Sequence, residues 1–476
     1  MRKVNEEFRL QIEQFKLEIE QSKLQIEQFK LEIEDLKAKL STNSSNSSLP
    51  PSSDLFNKQR SLRKPTGKSK GGQKGRKGHH LARVDNPDHI INHFPKLCSS
   101  CKSTLNHKLA EKVSSKQIFD LPRNIAIEVV EHQVMSIKCN CGKVTSGSYP
   151  ENITATVSYG PNIRAYVAYL SSYQYIPVER IKELLSDILN IDISTGTIMN
   201  MVLESNSLLA NFDQVIKDSL IESELIHADE TGLRVDSKNN WAHSVSNEFL
   251  SLFKLDNKRG SIAIDNIGVI PNSSGTVVHD GYQSYKKYEN VTHSLCNAHH
   301  LRELKLIYEQ LNESWAKEMS DLLISALDKV TTAKNSYKSR LSTYQITKIK
   351  RNYRKILEKG YLENPPHETI KRQRGRPKHS KTYNLLKRLS DYEDDVLRFA
   401  TDFSVPFDNN LAERDIRMVK LKQKVSGGFR TKYGAEAFLA LRSYISTAKK
   451  QQQNIMEVLI KLYNGNGWIP ENLTNT

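Results

Sequence analysis

Residues 10–23, LQIEQFKLEIEQSK, recur almost unchanged as residues 24–37, LQIEQFKLEIEDLK. The repeat is two heptads long, which commits the N-terminal segment to one amphipathic helix. Ile12, Phe15, Ile19, Ile26, Phe29, Ile33, Leu36 and Leu40 alternate at spacings of three and four, with Ser22 the one gap. That is the seam of a coiled coil, with Glu, Gln and Lys over most of the remaining surface. Leu10, Leu17, Leu24 and Leu31 form a second stripe, so more than two helices can associate. Residues 1–40 therefore predict a homo-oligomer; a solitary solvated helix is the competing reading.

STNSSNSSLPPSS (41–53) ends the helix with Ser, Asn and Pro and reads as a flexible linker. Between Asp54 and Asp85 there is no acidic residue but ten basic ones, among them Lys58, Arg60, Arg63, Lys64, Lys74, Arg76 and Lys77. GKSKGGQKGRKG cannot pack a core, and residues 41–85 are expected to stay mobile until they meet phosphate. The whole chain agrees: 70 Lys and Arg against 54 Asp and Glu leave a formal charge of +16 over 476 residues. Such an excess favours a polyanion, because neutralising phosphates releases condensed counterions. A solubilising tail is the alternative for the linker itself.

No stretch approaches the ~20 apolar residues that span a bilayer, and the charged N-terminus lacks a signal-peptide core. A cytoplasmic, nucleoid-associated protein with no membrane partner is expected.

Cys98-Ser-Ser-Cys101 is followed, after 37 residues, by Cys139-Asn-Cys141. Four thiolates in two close pairs satisfy one tetrahedral zinc, a structural site because no ligand position stays open. Strand-like alternation from Asn124 to Val134 fits a zinc-ribbon-like module over residues 86–155. The second arm is shorter than the usual CxxC, and four unliganded thiols are the alternative. Over 156–220 the pattern is helical: PVERIKELLSDIL is amphipathic, Asn190-Ile-Asp turns, and Ser194 can cap STGTIMNMVLESN. A helix-turn-helix and a plain helical hairpin fit this pattern equally.

LIHADETGLRV (225–235) reads as a strand, and a hairpin turn at Asp236-Ser-Lys-Asn-Asn leads into WAHSVSNEFLSLFKL, a strand pair. Asp229 and Glu230 are adjacent, so in a strand only one faces a given site, and periodicity does not choose between them. GTVVHDGY predicts a strand ending in Asp280, beside a glycine that turns the chain. Asn410-Leu-Ala-Glu413 opens a helix that continues through Arg414, Arg417, Lys420, Lys422 and Lys424. It matches a capping box, which gives Glu413 a structural role as an alternative to metal ligation. Two Asp and one Glu suit hard divalent ions such as magnesium, and converging carboxylates repel one another unless a cation joins them.

At these residues the chain resembles the insertion-sequence-66 family of DDE transposases. HADETGLRV, VVHDGYQSY, LCNAHHLREL, GRPKHSKTYNLLKRL and VPFDNNLAERDIRMVKLKQKVSGGFRT carry the resemblance. NSSLPPSS, GGQKGRKGH and the cysteine pairs support it. The resemblance implies a multidomain α+β protein with an RNase H-like α/β catalytic core spanning 221–305 and the C-terminal helices of 401–476. Residues 306–400 would be a helical insertion, part of the 132 residues separating Asp280 from Glu413. It implies Asp229, Asp280 and Glu413 as the acidic triad, choosing Asp229 over Glu230. Two Mg2+ or Mn2+ ions per active site, ~3.5–4 Å apart, would stabilise the attacking and leaving oxygens. In the insertion, KIKRNYRK and KRQRGRPK could track double-stranded DNA, with Arg374 and Arg376 as a minor-groove hook. Cys296 and His299 resemble a CxxH that follows the second acid in several transposase groups and imply a positioning role; a core Cys with a surface His is the alternative.

The expected function is metal-dependent cleavage and strand transfer of insertion-sequence ends, with element-encoded accessory proteins as further partners. A non-catalytic DNA-binding or regulatory relative, and a nuclease without strand transfer, are the alternatives.

Overall fold

The computed structural model describes residues 11–23, 25, 26, 29, 33, 36, 83–106, 108, 110–120, 127–150, 153, 155–365 and 380–471. Leu10, Leu24, Leu31, Leu40, the basic residues Lys58 to Lys77, and Arg374 and Arg376 lie outside these. Helix α1 (11–23) carries Ile12, Phe15 and Ile19 exposed, and the described seam residues beyond it are likewise helical and exposed.

Strands β1 (Ser136–Lys138) and β2 (Val144–Ser146) form a hairpin around the second cysteine pair. The strand expected from Asn124 to Val134 is corrected: its described residues, 127–134, are irregular, and pairing begins at Ser136. Alternation alone supplied no partner for that segment. The short turn at Cys139–Gly142 closes the hairpin that does form.

Helix α2 (Pro161–Ala168) starts on a proline, whose missing N–H costs nothing at a first turn. Helices α3 (Val178–Leu189) and α4 (Thr195–Leu208) follow the predicted boundaries. Asn190 ends α3 in the left-handed region at φ 54°, and Ser194 Oγ caps α4 by accepting the Thr197 N–H at 3.0 Å. With α5 (Ala210–Ile221), these helices share one apolar core with the sheet and the C-terminal helices, in which Ile181, Ile198, Phe212, Ile226, Val277 and Tyr444 are buried together.

The sheet has five strands in the order β5-β4-β3-β6-β7. Strands β3 (Leu225–Val235), β4 (Lys238–Ser246) and β5 (Ser251–Asp256) form an antiparallel meander. Its first hairpin is a two-residue turn at Asp236 and Ser237, both at positive φ, as the strand twist requires. Helix α6 (Ser261–Ile267) then crosses to β6 (Thr276–His279), which pairs parallel with β3, and β7 (Thr292–Leu295) pairs parallel with β6.

From β7 the chain enters α7 (Asn297–Leu311), α8 (Ser314–Asn335), α9 (Thr343–Glu363), α10 (Lys381–Asp391) and α11 (Glu393–Thr401). These helices pack around their own core of Trp315, Met319, Tyr353, Leu386 and Phe399. The excursion closes on itself. Asn297 N–H donates to the Phe407 carbonyl at 3.1 Å, and Asn409 N–H donates to Cys296 Sγ at 3.2 Å.

Helices α12 (Asn410–Ser426), α13 (Lys432–Lys450) and α14 (Ile455–Tyr463) complete the chain. α13 is buried along nearly its whole length between β5 and α4. Its hydroxyls serve the edge strand: Ser251 N–H donates to Thr447 Oγ1 at 3.1 Å and Phe253 N–H to Ser443 Oγ at 2.8 Å. An edge left open would offer those donors to another strand. Past α12, Phe429 N–H donates to the Arg234 carbonyl and Asp236 N–H to the Phe429 carbonyl, both at 2.8 Å. Gly428 permits this approach, because a Cβ there would sit 2.9 Å from the Arg234 carbonyl oxygen. The helix is thus anchored to β3 at both ends.

No helix among the described residues is long and apolar enough to cross a membrane.

Candidate active site

Strand β3 outruns β6. The parallel register pairs Leu225 to His227 with Thr276 to Val278, and β6 ends one residue later. Asp229 and Asp280 each lie two residues past the last pair, His227 and Val278, so register sets them level on neighbouring strands. Gly281 follows at φ +91°, a conformation that favours glycine, and turns the chain away from the strand end. Asp280 Oδ1 accepts the Tyr282 N–H at 2.8 Å, which fixes the turn.

Glu413 reaches the same place from the first turn of α12. The expected capping box does not form. The N-cap is Asn409, with no side-chain cap, while Asn410 donates its own N–H to Asp408 Oδ1 at 3.1 Å. An Asx turn outcompeted the cap for Asn410, and Glu413 Oε1 is left buried without a hydrogen-bond partner.

Asn409 holds these pieces together, and the sequence reading missed it. Buried to 1% exposure, it donates Nδ2 to the Ala228 carbonyl at 2.8 Å, and its Oδ1 meets His227 Nδ1 at 2.8 Å. Its carbonyl accepts the Glu413 N–H at 3.1 Å. Its N–H reaches Cys296 Sγ, and Cys296 N–H in turn donates to the His279 carbonyl at 2.9 Å, beside Asp280. The segments bearing all three acids meet at one amide.

The electrostatics follow from this convergence. Burial raises the Asp229 carboxyl well above its ordinary range, and the charges of Glu230, Asp280 and Glu413 push it further. Glu230 is committed elsewhere: it accepts from Arg259 Nε at 2.8 Å and from the Tyr285 hydroxyl at 2.6 Å. Burial still lifts its pKa, with Asp280 adding to the rise, while those two hydrogen bonds pull it down. Arg259 itself lies against the rings of Trp241 and Tyr282. The neighbouring carboxylate is therefore engaged by a cation and a phenol, whereas among the described residues the Asp229 oxygens have only the Glu230 N–H, at 2.9 Å to Oδ1.

A second support lies behind Asp280. Gly281 N–H donates to His279 Nδ1 at 3.1 Å, which leaves the ring proton on Nε2. Nε2 then donates to His293 Nδ1 at 3.1 Å, and His293 Nε2–H to the Tyr288 carbonyl at 3.0 Å. The chain works only with both rings neutral, and burial lowers the pKa of each. Nothing in the local sequence marks this relay, because β6 and β7 bring the two histidines together.

His299 Nδ1 lies 3.7 Å from Glu413 Oε1, and Arg302 Nη2 lies 3.8 Å from Glu413 Oε2. Burial pushes the Cys296 thiol up to about 12 and lowers the His299 imidazole pKa.

Of the basic residues on α12, Arg414, Arg417 and Lys424 are exposed. Lys420 Nζ donates to the Gly232 carbonyl, and Lys422 is buried, so the latter presents no charge to a partner. In the insertion, Lys350 and Arg354 pair with Asp394 and Glu393 across α9 and α11. That part of the basic run joins helices.

The distant cysteines are brought together within each pair. Hydrogen bonds from Ser103 and Cys98 lower Cys101 to about 7, and Cys141 lowers Cys139. The two pairs do not converge: among the described residues the one potential metal-binding group of three or more is Cys296, His299 and Glu413.

Comparison with known families gives two matches. Residues 1–82 match a family of unknown function, DUF6444. No curated protein matches the chain. Residues 156–437, more than half of the chain and the span holding every element of the acidic cluster, match the model of the transposase IS66 family. The chain belongs to the IS66 family of transposases.

Proposed function

We propose that this chain is a DDE-type transposase that cuts the ends of its element and joins the freed 3′-hydroxyl to target DNA. The observation that carries the reading is that Asp280, just past β6, and Glu413, on the first turn of α12, both act by their charge on the buried Asp229 carboxyl of β3. An antiparallel β5-β4-β3 meander extended by parallel β6 and β7 supports an RNase H-like core.

The residues fit a hard divalent cation. A carboxyl repelled by three neighbours and a buried, unpartnered Glu413 oxygen both have an electrostatic deficit that a cation would meet. Two magnesium ions on this triad would activate the nucleophile and stabilise the leaving oxygen. The protein's own part is placement. Asn409 sets the distance between α12 and β3, the His279–His293 relay holds the turn after Asp280, and Arg259 keeps Glu230 out of the cluster. Exposed Arg414, Arg417 and Lys424 on the same helix would hold the phosphate backbone beside the acids.

Residues 1–40 are proposed to oligomerise the chain, and Cys98, Cys101, Cys139 and Cys141 to take one zinc when their two arms close. The linker basic residues, with Arg374 and Arg376, are proposed DNA contacts.

The test is a cleavage and strand-transfer assay on the genomic flanks of the reading frame, with Mg2+ or Mn2+. Cut and joined products that disappear in Asp229→Asn, Asp280→Asn and Glu413→Gln are expected. Full activity in any of the three would remove that residue from the triad, and cutting without joining would identify a nuclease.

A further inference from the structure

We propose that Cys296 Sγ, His299 Nδ1 and Glu413 Oε1 form a site for a thiophilic divalent cation of the zinc or cobalt type. Occupancy of this site would take Glu413 away from magnesium. The ligand set stands on geometry alone; the competition rests on the transposase reading.

Cys296 caps α7 and His299 is three residues on, so one helical turn stacks their side chains on one face. Glu413 comes from α12, which Asn409 ties to Cys296. The three donor atoms all lie within 4.8 Å of one another, and His299 Nδ1 is 3.7 Å from Glu413 Oε1. Ligand bonds of about 2.0–2.3 Å place tetrahedral donors roughly 3.5 Å apart, so closure asks for a shift of about 1 Å.

Two of the three donors lack a hydrogen-bond partner among the described residues. His299 Nδ1 and Glu413 Oε1 are both buried and make no hydrogen bond. Leaving such atoms orphaned costs about 1–3 kcal/mol each, and a cation between them would satisfy both. A core thiol beside a structural histidine leaves that cost unexplained.

The surroundings suit a thiolate–metal bond. Asn409 N–H already points at the sulfur, as donors to metal-bound thiolates do, and the sulfur sits at a helix N-terminus. The charges of Asp280 and Glu303 also reach His299. Arg302 opposes a cation: its Nη2 lies 3.8 Å from Glu413 Oε2, and its charge lowers the His299 pKa more than Asp280 or Glu303 raises it. Sulfur selects the metal: magnesium takes oxygen ligands, while zinc and cobalt accept thiolate and imidazole. Binding would release the Cys296 thiol proton to solvent, one per ion.

The experiment is a Co2+ titration of the full chain without DNA, followed by the sulfur-to-cobalt charge-transfer band in the near ultraviolet. Wild type, His299→Gln, Cys98→Ser, Asp229→Asn and Cys98→Ser combined with Cys296→Ser are compared, each checked for native melting. A band that survives Cys98→Ser and Asp229→Asn is expected. In His299→Gln its affinity should fall by more than the about 10–100-fold that losing an outer hydrogen bond causes. In Cys98→Ser combined with Cys296→Ser, where the proposed four-cysteine site is lost as well, the band should vanish. No band in Cys98→Ser, or a band there that is unchanged when Cys296→Ser is added, overturns the site. Because no DNA is present, a chain that fails to cut DNA still reports on this site, and a chain that cuts without the band refutes the site alone.

Discussion

Asn409 donates its side-chain amide to the carbonyl of Ala228 at 2.8 Å, one residue before Asp229 and four before Glu413 in their respective elements. The acid-bearing helix and the acid-bearing strand are thereby held by one hydrogen bond between buried groups. Asn409→Ala removes it and also strips His227 of a partner, at a cost of about 2–3 kcal/mol. A lower melting temperature in calorimetry is expected, together with a loss of strand transfer that persists at temperatures where the variant is fully folded. Normal turnover by the folded variant would reduce Asn409 to a packing residue.

Asp229 and Glu230 should respond in opposite directions. Without metal, Asp229 is a buried carboxyl repelled by its neighbours, so Asp229→Asn should raise the metal-free melting temperature while abolishing cleavage. Glu230→Ala leaves Tyr285 and Arg259 unpartnered and should lower stability by about 2 kcal/mol. Denaturant unfolding with a chelator present measures both.

Lys422 makes stability depend on pH. Burial lowers its pKa from 10.5 to about 8. Below pH 8 it is charged in both states and the fold bears a constant cost. Between pH 8 and 10.5 the unfolded chain binds the extra proton, so this group's contribution to stability rises with pH. Lys422→Met should remove that rise and stabilise the protein at pH 7 by up to about 3 kcal/mol. Urea unfolding at pH 7 and pH 10 gives both quantities; an unchanged slope would mean the ammonium is solvated.

The exposed edge of α12 should act through charge. Changing Arg414, Arg417 and Lys424 to Ala should weaken DNA binding, each lost phosphate contact lowering the salt slope by about 0.9. Anisotropy titrations over a salt series test this. Equal slopes in variant and wild type would place the DNA on another face.

For the cysteine pairs, metal analysis should find about one zinc per chain more in wild type than in Cys98→Ser. Zinc retained in that variant would dissociate the two arms from a common centre.

The sequence reading succeeded where local rules decide. The turns at Asn190 and after Asp280 and the Ser194 cap are each set by a few neighbouring residues, whereas the expected five-residue turn from Asp236 to Asn240 is shortened to Asp236 and Ser237, with β4 starting at Lys238. It chose Asp229 over Glu230 only through the resemblance; the contacts that engage Glu230, from Arg259 and Tyr285, needed β6 and the following turn in place. The capping box failed because Asp408, a residue outside the motif, captured Asn410. Asn409 and the two histidines escaped notice because their partners lie far off in sequence, and a buried polar residue reads as surface until its partners are known.

The chain departs for its helical excursion at Cys296 and comes back at Asn409, and those two residues touch. The excursion has a hydrophobic interior of its own, and it also rests on the sheet through Arg398 Nε donating to the His293 carbonyl and Lys286 pairing with Asp395. Lengthening such a loop costs little, about 0.6 kcal/mol for each doubling, and the added chain exerts no leverage on ends that already touch. Helices can therefore be added or removed there at little cost, while the spacing of the three acids stays as the sheet and α12 set it.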